Sequence, residues 1–110
     1  MPMLRADSDA DAALPRRDPP AARRWGRVAD VMEDGVIYLE DAERLILADA
    51  ALPPDPDRYV EAHTYLSSLV ADTIVFYAVR DTDDLGRLIS EVWVGDVHVN
   101  DALRARGHAT

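Results

Sequence analysis

The chain has 110 residues and a net charge of −9, from 12 basic and 21 acidic side chains. Every basic residue is Arg and Cys is absent, which excludes a disulfide scaffold, a thiolate zinc site and a cysteine nucleophile. Apolar residues make up 48% of the chain, enough to core one domain, while the longest apolar run, near 74–79, falls far short of the ~20 residues a membrane-crossing helix needs.

The charge is uneven. Residues 1–27 hold six Arg and four Asp, a net +2, whereas residues 28–110 hold six Arg and seventeen acids, a net −11. A body that acidic repels a phosphate backbone, so strong nonspecific nucleic-acid binding is not expected of it. Two origins fit the lysine-free, acid-rich composition: high-GC codon usage, or adaptation to high salt.

In chain order, residues 1–24 read as a disordered tail. Pro2, Pro15, Pro19 and Pro20 interrupt a mixture of Ala, Arg and Asp with no sustained period. No apolar core follows a basic start, so no secretory leader is recognised and a cytoplasmic location is expected. The pairs Arg16–Arg17 and Arg23–Arg24 suit either a solvated linker or contact with an acidic partner. The folded domain is expected over 25–110.

From Trp25 short apolar runs alternate with turn signals. Asp34-Gly35 separates the first two runs, and an Asp-Gly pair tolerates the positive φ of a tight hairpin. Asp41-Ala42 separates the second from the third. The reading is a three-stranded antiparallel meander over about 26–48. Asp55-Pro56 then gives a carboxylate N-cap followed by proline at the first helical position. Tyr59, Ala62, Leu66, Leu69 and Val70 line one helical face, and the helix should end near Asp72.

Residues 74–79 are β-branched and aromatic, a buried strand. Asp81-Thr82-Asp83-Asp84 reads as a polar connection, and 88–94 as a further strand turned at Gly95-Asp96. A short helix over 100–106 stops at Gly107, where a left-handed residue is expected. Five strands with a helix between the third and fourth give a mainly β fold, an OB barrel with two helices.

The second half carries Asp84-Leu85-Gly86-Arg87-Leu88, then Val99-Asn100-Asp101-Ala102-Leu103, then Arg106-Gly107. Upstream lies Arg44-Leu45-Ile46-Leu47-Ala48-Asp49-Ala50. In this order and spacing the motifs resemble the staphylococcal-nuclease (thermonuclease) family over about 26–110, which implies the same OB barrel. The family hydrolyses DNA and RNA phosphodiesters with Ca²⁺. A hard cation takes oxygen ligands and holds phosphate and water, and arginines stabilise charge on the phosphorus oxygens.

The resemblance implies that Arg44 and Arg87 are the phosphate arginines and Asp49 a metal-ligand carboxylate. Two departures follow. The family's second metal Asp stands in a D-G-D-T hairpin, but here Asp34-Gly35 runs straight into Val36, leaving Asp34 or Glu33 to serve. The general-base Glu is replaced by Leu52 in an ungapped match, or by Pro54 with a two-residue insertion. Asp55 is next, but it looks committed to the helix cap. An aromatic residue that often precedes Gly-Arg is Leu85. Losing a general base lowers rate by about 10²–10⁴-fold, and a Ca²⁺ site with one assured carboxylate should be weak or lost.

Other constellations are plainer. Asp81, Asp83 and Gly86 match part of an EF-hand loop that Leu85 and Val92 break. His63, His98 and His108 lack metal-ligand spacing and read as solvated or half-buried. Ser67 and Ser68 have no nucleophile context. Trp25 and Trp93 flank strands; packing is the plain role of Trp93, nucleotide stacking the functional one. The expected function is a degenerate thermonuclease-like binding module for a protein, or weakly for a nucleic acid or nucleotide phosphate. The alternatives are a Ca²⁺-dependent nuclease recruiting Glu33, Asp34 or Asp55, and an interaction module whose basic tail docks on an acidic partner.

Overall fold

The computed structural model describes residues 16–109. Strands β1 (Arg24–Val31), β2 (Ile37–Leu39) and β3 (Arg44–Leu47) form the expected meander. Helix α1 (Pro56–Val70) leads to β4 (Ile74–Thr82), β5 (Leu88–Val94), a two-residue β6 (Val97–His98) and helix α2 (Val99–Ala105). β1 pairs with β4 and β4 with β5, both antiparallel, while β3 pairs with β5 in parallel. That last pairing closes a five-stranded mixed barrel of OB type, with β6 as an extra strand on β5. Closure removes two free edges that would otherwise template pairing with other chains.

Three hairpins share one solution. Met32 to Val36, Leu39 to Glu43 and Asp83 to Arg87 each close a three-residue loop whose last residue is left-handed: Gly35 (φ 84°), Ala42 (φ 75°) and Gly86 (φ 78°). Asp34, Asp41 and Asp83 each accept a backbone N–H two residues on. The Asp34-Gly35 pair therefore does not make a two-residue turn with two positive φ angles. It makes a turn followed by one left-handed residue, a hairpin form with a longer loop.

Asp55 caps α1 by accepting the Arg58 N–H, and Pro56 opens the helix, as its fixed φ and missing N–H favour. Ala62, Leu66 and Val70 face the barrel. The helix stops at Val70, near Asp72 as expected: Ala71 leaves the helical conformation, Asp72 turns left-handed, and both Thr73 N–H and Oγ1–H donate to the Val70 carbonyl. β4 runs through Asp81 and Thr82, which pair with Ile89 and Leu88 across a bulge. The polar side chains there point to solvent while the backbone stays in the ladder, so the connection is shorter than its composition suggests.

α2 ends as expected at Gly107 (φ 72°). His108 N–H reaches the Leu103 carbonyl and Gly107 N–H the Arg104 carbonyl, the two bonds of a Schellman cap. The core gathers Ile37, Leu45, Val75, Val92 and Tyr77 from the barrel with Leu66 and Leu103 from the helices. Asn100, fully buried, sews three elements together: it accepts the Val92 N–H and donates to the Ala48 and Ser90 carbonyls. Among the described residues no helix is long and apolar enough to cross a membrane.

Candidate functional site

Arg44 opens β3 and Arg87 immediately precedes β5. Each is followed by a buried leucine, so strand alternation turns both arginines outward. The parallel register sets Leu45 beside Leu88. Arg44 and Arg87 are thereby neighbours at the barrel rim, about one strand spacing (~4.8 Å) apart at their Cα atoms.

The β4–β5 turn holds both. Arg44 donates through Nη2 to the Leu85 carbonyl. A Cβ on Gly86 would stand 3.4 Å from that nitrogen, so the guanidinium lies across the turn. Arg87 donates through Nε to Asp83 Oδ2 at 2.6 Å, while Asp83 Oδ1 accepts the Leu85 and Arg87 N–H groups. Burial pushes the Asp83 carboxyl up, but the Arg87 N–H, the Arg87 guanidinium and the Leu85 N–H outweigh it and hold the group below the usual carboxylate range. Among the described residues the Nη groups of Arg87 make no hydrogen bond or ion pair and remain available to an anion.

Asp49 follows β3 in a left-handed conformation (φ 52°), with its side chain 76% exposed. Its carboxylate pairs with Arg80 at 2.9 Å, and Arg80 also holds Glu91 at 2.9 Å. Asp34 sits in the first hairpin, accepts the Val36 N–H and lines a cleft of about 300 Å³ with Ala50, Leu52 and Tyr59. The two carboxylates that the resemblance offers to Ca²⁺ thus serve different partners. Among the described residues no three ligating side chains are grouped to hold a metal ion. Ca²⁺ takes about six to eight oxygens, and Asp49 and Asp34 are the two carboxylates that the resemblance offers to it.

Leu52 is half-buried, and a Cβ on Gly35 would stand 2.8 Å from its Cδ1. The place assigned by resemblance to a proton acceptor is packed with hydrocarbon against the first hairpin. Pro54 is exposed and Asp55 is the cap of α1. Glu33 lines a neighbouring recess with Tyr59 and His63, and His63 Nε2 lies 2.7 Å from the Met32 carbonyl. Burial, then the charges of Asp34 and Glu33, push the Tyr59 hydroxyl up.

Trp93 is only 4% exposed, with its ring 4.9 Å from that of His98. It offers no open face to a nucleobase in this arrangement.

Sequence reasoning missed a charged ring at the other end of β5. His98 is fully buried rather than solvated or half-buried; Nε2 lies 2.6 Å from Glu91 and Nδ1 2.9 Å from Asp101. Arg104 pairs with Asp101 and donates to the Asp49 carbonyl at 2.7 Å, so the ring closes through Asp49, Arg80 and Glu91. Burial pushes the Asp101 carboxyl up, but hydrogen bonds from His98 and Arg104 pull it below its usual range. The available signal was the Gly95-Asp96 turn: extended by one pair, it sets His98 opposite Trp93. Arg17, within the segment read as a tail, caps this cluster at 2.9 Å from His98 Nδ1.

Comparison with family models and with curated proteins returned no match.

Proposed function

We propose that this chain is a binding module on a thermonuclease-like barrel, taking a phosphate group of a nucleotide or single-stranded nucleic acid at Arg44 and Arg87 without turning it over. One juxtaposition carries the reading: the parallel β3–β5 register that sets the two arginines side by side on the rim. Two adjacent guanidiniums, each fixed from behind by the same turn, present N–H donors suited to phosphate oxygens. Two features argue against cleavage of a phosphodiester: the resemblance puts Leu52 or Pro54 where a base is expected, and Asp49 is paired with Arg80.

Binding should be weak. Asp81, Asp83 and Asp84 flank the arginines, and the surrounding body carries a net −11. The second reading, a Ca²⁺-dependent nuclease, draws on Glu33 and Asp34 at adjoining recesses beside Tyr59.

The test is fluorescence anisotropy of a labelled single-stranded oligonucleotide at several salt concentrations. Two phosphate contacts predict a log–log salt slope of about −1.4, and each of Arg44→Ala and Arg87→Ala should remove about half of it. Affinity and slope unchanged in both variants would refute the site.

A further inference from the structure

The outer face of β1, β4, β5 and β6 carries a row of rings. Cross-strand pairing sets Trp25 beside Phe76, Phe76 beside Trp93, and Trp93 beside His98. Because paired residues share a face, these four rings cross the barrel surface in one line. Trp25 is 64% exposed, which marks this as the outer side. Val92, the neighbour of Trp93, points into the core and is fully buried. Trp93 therefore points outward, yet it is buried too, so something covers it.

The chain's own N-terminal segment is anchored at both sides of Trp93, on His98 and on Phe76. Arg16 bridges to Val97, its guanidinium pairs with Asp96 at 2.7 Å, and Arg17 N–H donates to the Asp96 carbonyl. The Arg17 side chain sits on His98 and reaches Asp101 at 3.4 Å and Glu91 at 3.7 Å. At the other end the Arg23 guanidinium lies 4.8 Å over the Phe76 ring. His98 and Phe76 are two strands apart, about 10 Å. Residues 17–23 can span about 20 Å. The stretch Asp18-Pro19-Pro20-Ala21-Ala22 joins these two anchors, and Trp93 stands between them in the row.

We propose that this aromatic row is a recognition groove for an arginine-anchored, proline-containing extended segment of another protein, and that residues 16–24 occupy it as an internal surrogate. Charge complementarity favours that occupant. Glu91, Asp96 and Asp101 form an acidic end that already takes two arginines, and the rings beyond it take a third by cation–π contact. Prolines hold an extended backbone at low entropic cost and present carbonyls to aromatic grooves.

The surrogate is an imperfect ligand. Among the described residues the buried Trp93 indole N–H has no hydrogen-bond partner, whereas a buried indole ordinarily finds an acceptor. A segment that places a carbonyl there gains a bond the internal arm does not make. The arm's ion pairs are also solvent-exposed, with the Arg17 side chain 55% exposed, so they are weak and exchangeable. Trp25 and Ile74 extend the apolar surface past the arm for a longer partner to use.

The experiment uses the full chain and a fluorescein-labelled peptide, Arg-Arg-Asp-Pro-Pro-Ala-Ala-Arg-Arg. The tethered arm competes at an effective concentration in the millimolar range, so the wild-type chain should bind the peptide poorly. A variant with Arg16→Ala, Arg17→Ala and Arg23→Ala, checked for an intact fold by circular dichroism, should bind it at least tenfold more tightly. Asp96→Lys added to that variant should abolish the gain, and a peptide with alanines for both prolines should bind several-fold more weakly. A separate readout needs no variant: excess peptide on the wild-type chain should speed hydrogen exchange at the Arg17 amide, which the arm's bond to Asp96 protects. A folded triple variant that binds no better than wild type, or alanine and proline peptides that bind alike, would overturn the proposal. So would a concentration-dependent wild-type dimer that excludes the peptide, since it would assign the groove to a second copy of the chain.

Discussion

Asn100 is the side chain on which the join between barrel and second helix depends. It lies at the start of α2, fully buried, and its Oδ1 accepts the Val92 N–H at 2.9 Å. Its Nδ2 donates to the Ala48 carbonyl at 3.0 Å and the Ser90 carbonyl at 3.1 Å. In Asn100→Ala the Ser90 carbonyl still accepts the Ala48 N–H, so two groups are left without that partner: the Val92 donor and the Ala48 acceptor. Each buried unsatisfied group costs about 1–3 kcal/mol, so the expected loss is roughly 3–4 kcal/mol. A domain of this size has about 5–15 kcal/mol in total, and the melting temperature should fall by about 15–25 °C.

Asn100→Asp separates hydrogen bonding from packing. It conserves shape and keeps an acceptor for Val92, but it points a carboxylate at two carbonyls. Urea unfolding followed by circular dichroism at neutral pH should show both variants destabilised by more than 2 kcal/mol. An Asn100→Asp protein within about 1 kcal/mol of wild type would refute the bonding argument and leave only volume.

Three further predictions follow from local geometry. Ala42→Gly should stabilise the fold by about 0.5–1 kcal/mol, because Ala42 holds φ at 75° and a side chain pays for the left-handed region where glycine does not; an unchanged urea midpoint would contradict it. Asp55→Ala should destabilise by about 1 kcal/mol through loss of the α1 cap, a shift measurable in the same transition. Asp83 and Asp101 have folded pKa values below their unfolded ones, so their contribution is complete above the unfolded value, near 4, and is lost as pH falls through the depressed folded values. Thermal melts of Asp101→Asn against wild type should differ most above pH 5 and draw together as pH falls below the usual carboxylate range; a gap that widens on acidification would reverse the sign of the argument.

Much of the barrel was legible because its signals are local. Asp55-Pro56 announced α1, and the turn residues around 34–35, 41–42 and 95–96 separated the strands correctly. The order of strands and helices then led to a closed barrel, and the parallel β3–β5 pairing realises it. What was not legible depends on distant partners. β4 continues through Arg80, Asp81 and Thr82 because β5 pairs with their backbone, which polar side chains conceal. His98 is buried because Trp93 and Glu91 of β5, Asp101 of α2 and Arg17 of the N-terminal segment converge on it.

The site divides in the same way. Arg44 and Arg87 lie 43 positions apart in the chain, and only the barrel register makes them neighbours. The partner of Asp49 is Arg80, a residue that no motif singled out.

The most direct measurement of the central claim is turnover. Single-stranded DNA is incubated with the purified full chain, with Ca²⁺ or with chelator, at low and at molar salt, beside Arg87→Ala. The proposed binding module, with Leu52 or Pro54 where the resemblance expects a base and Asp49 paired to Arg80, predicts no Ca²⁺-dependent cleavage in any condition, together with low-salt binding that Arg87→Ala weakens. Cleavage that requires Ca²⁺ and disappears in Arg87→Ala would contradict the account and show that Glu33, Asp34 or Asp55 has taken over the missing role.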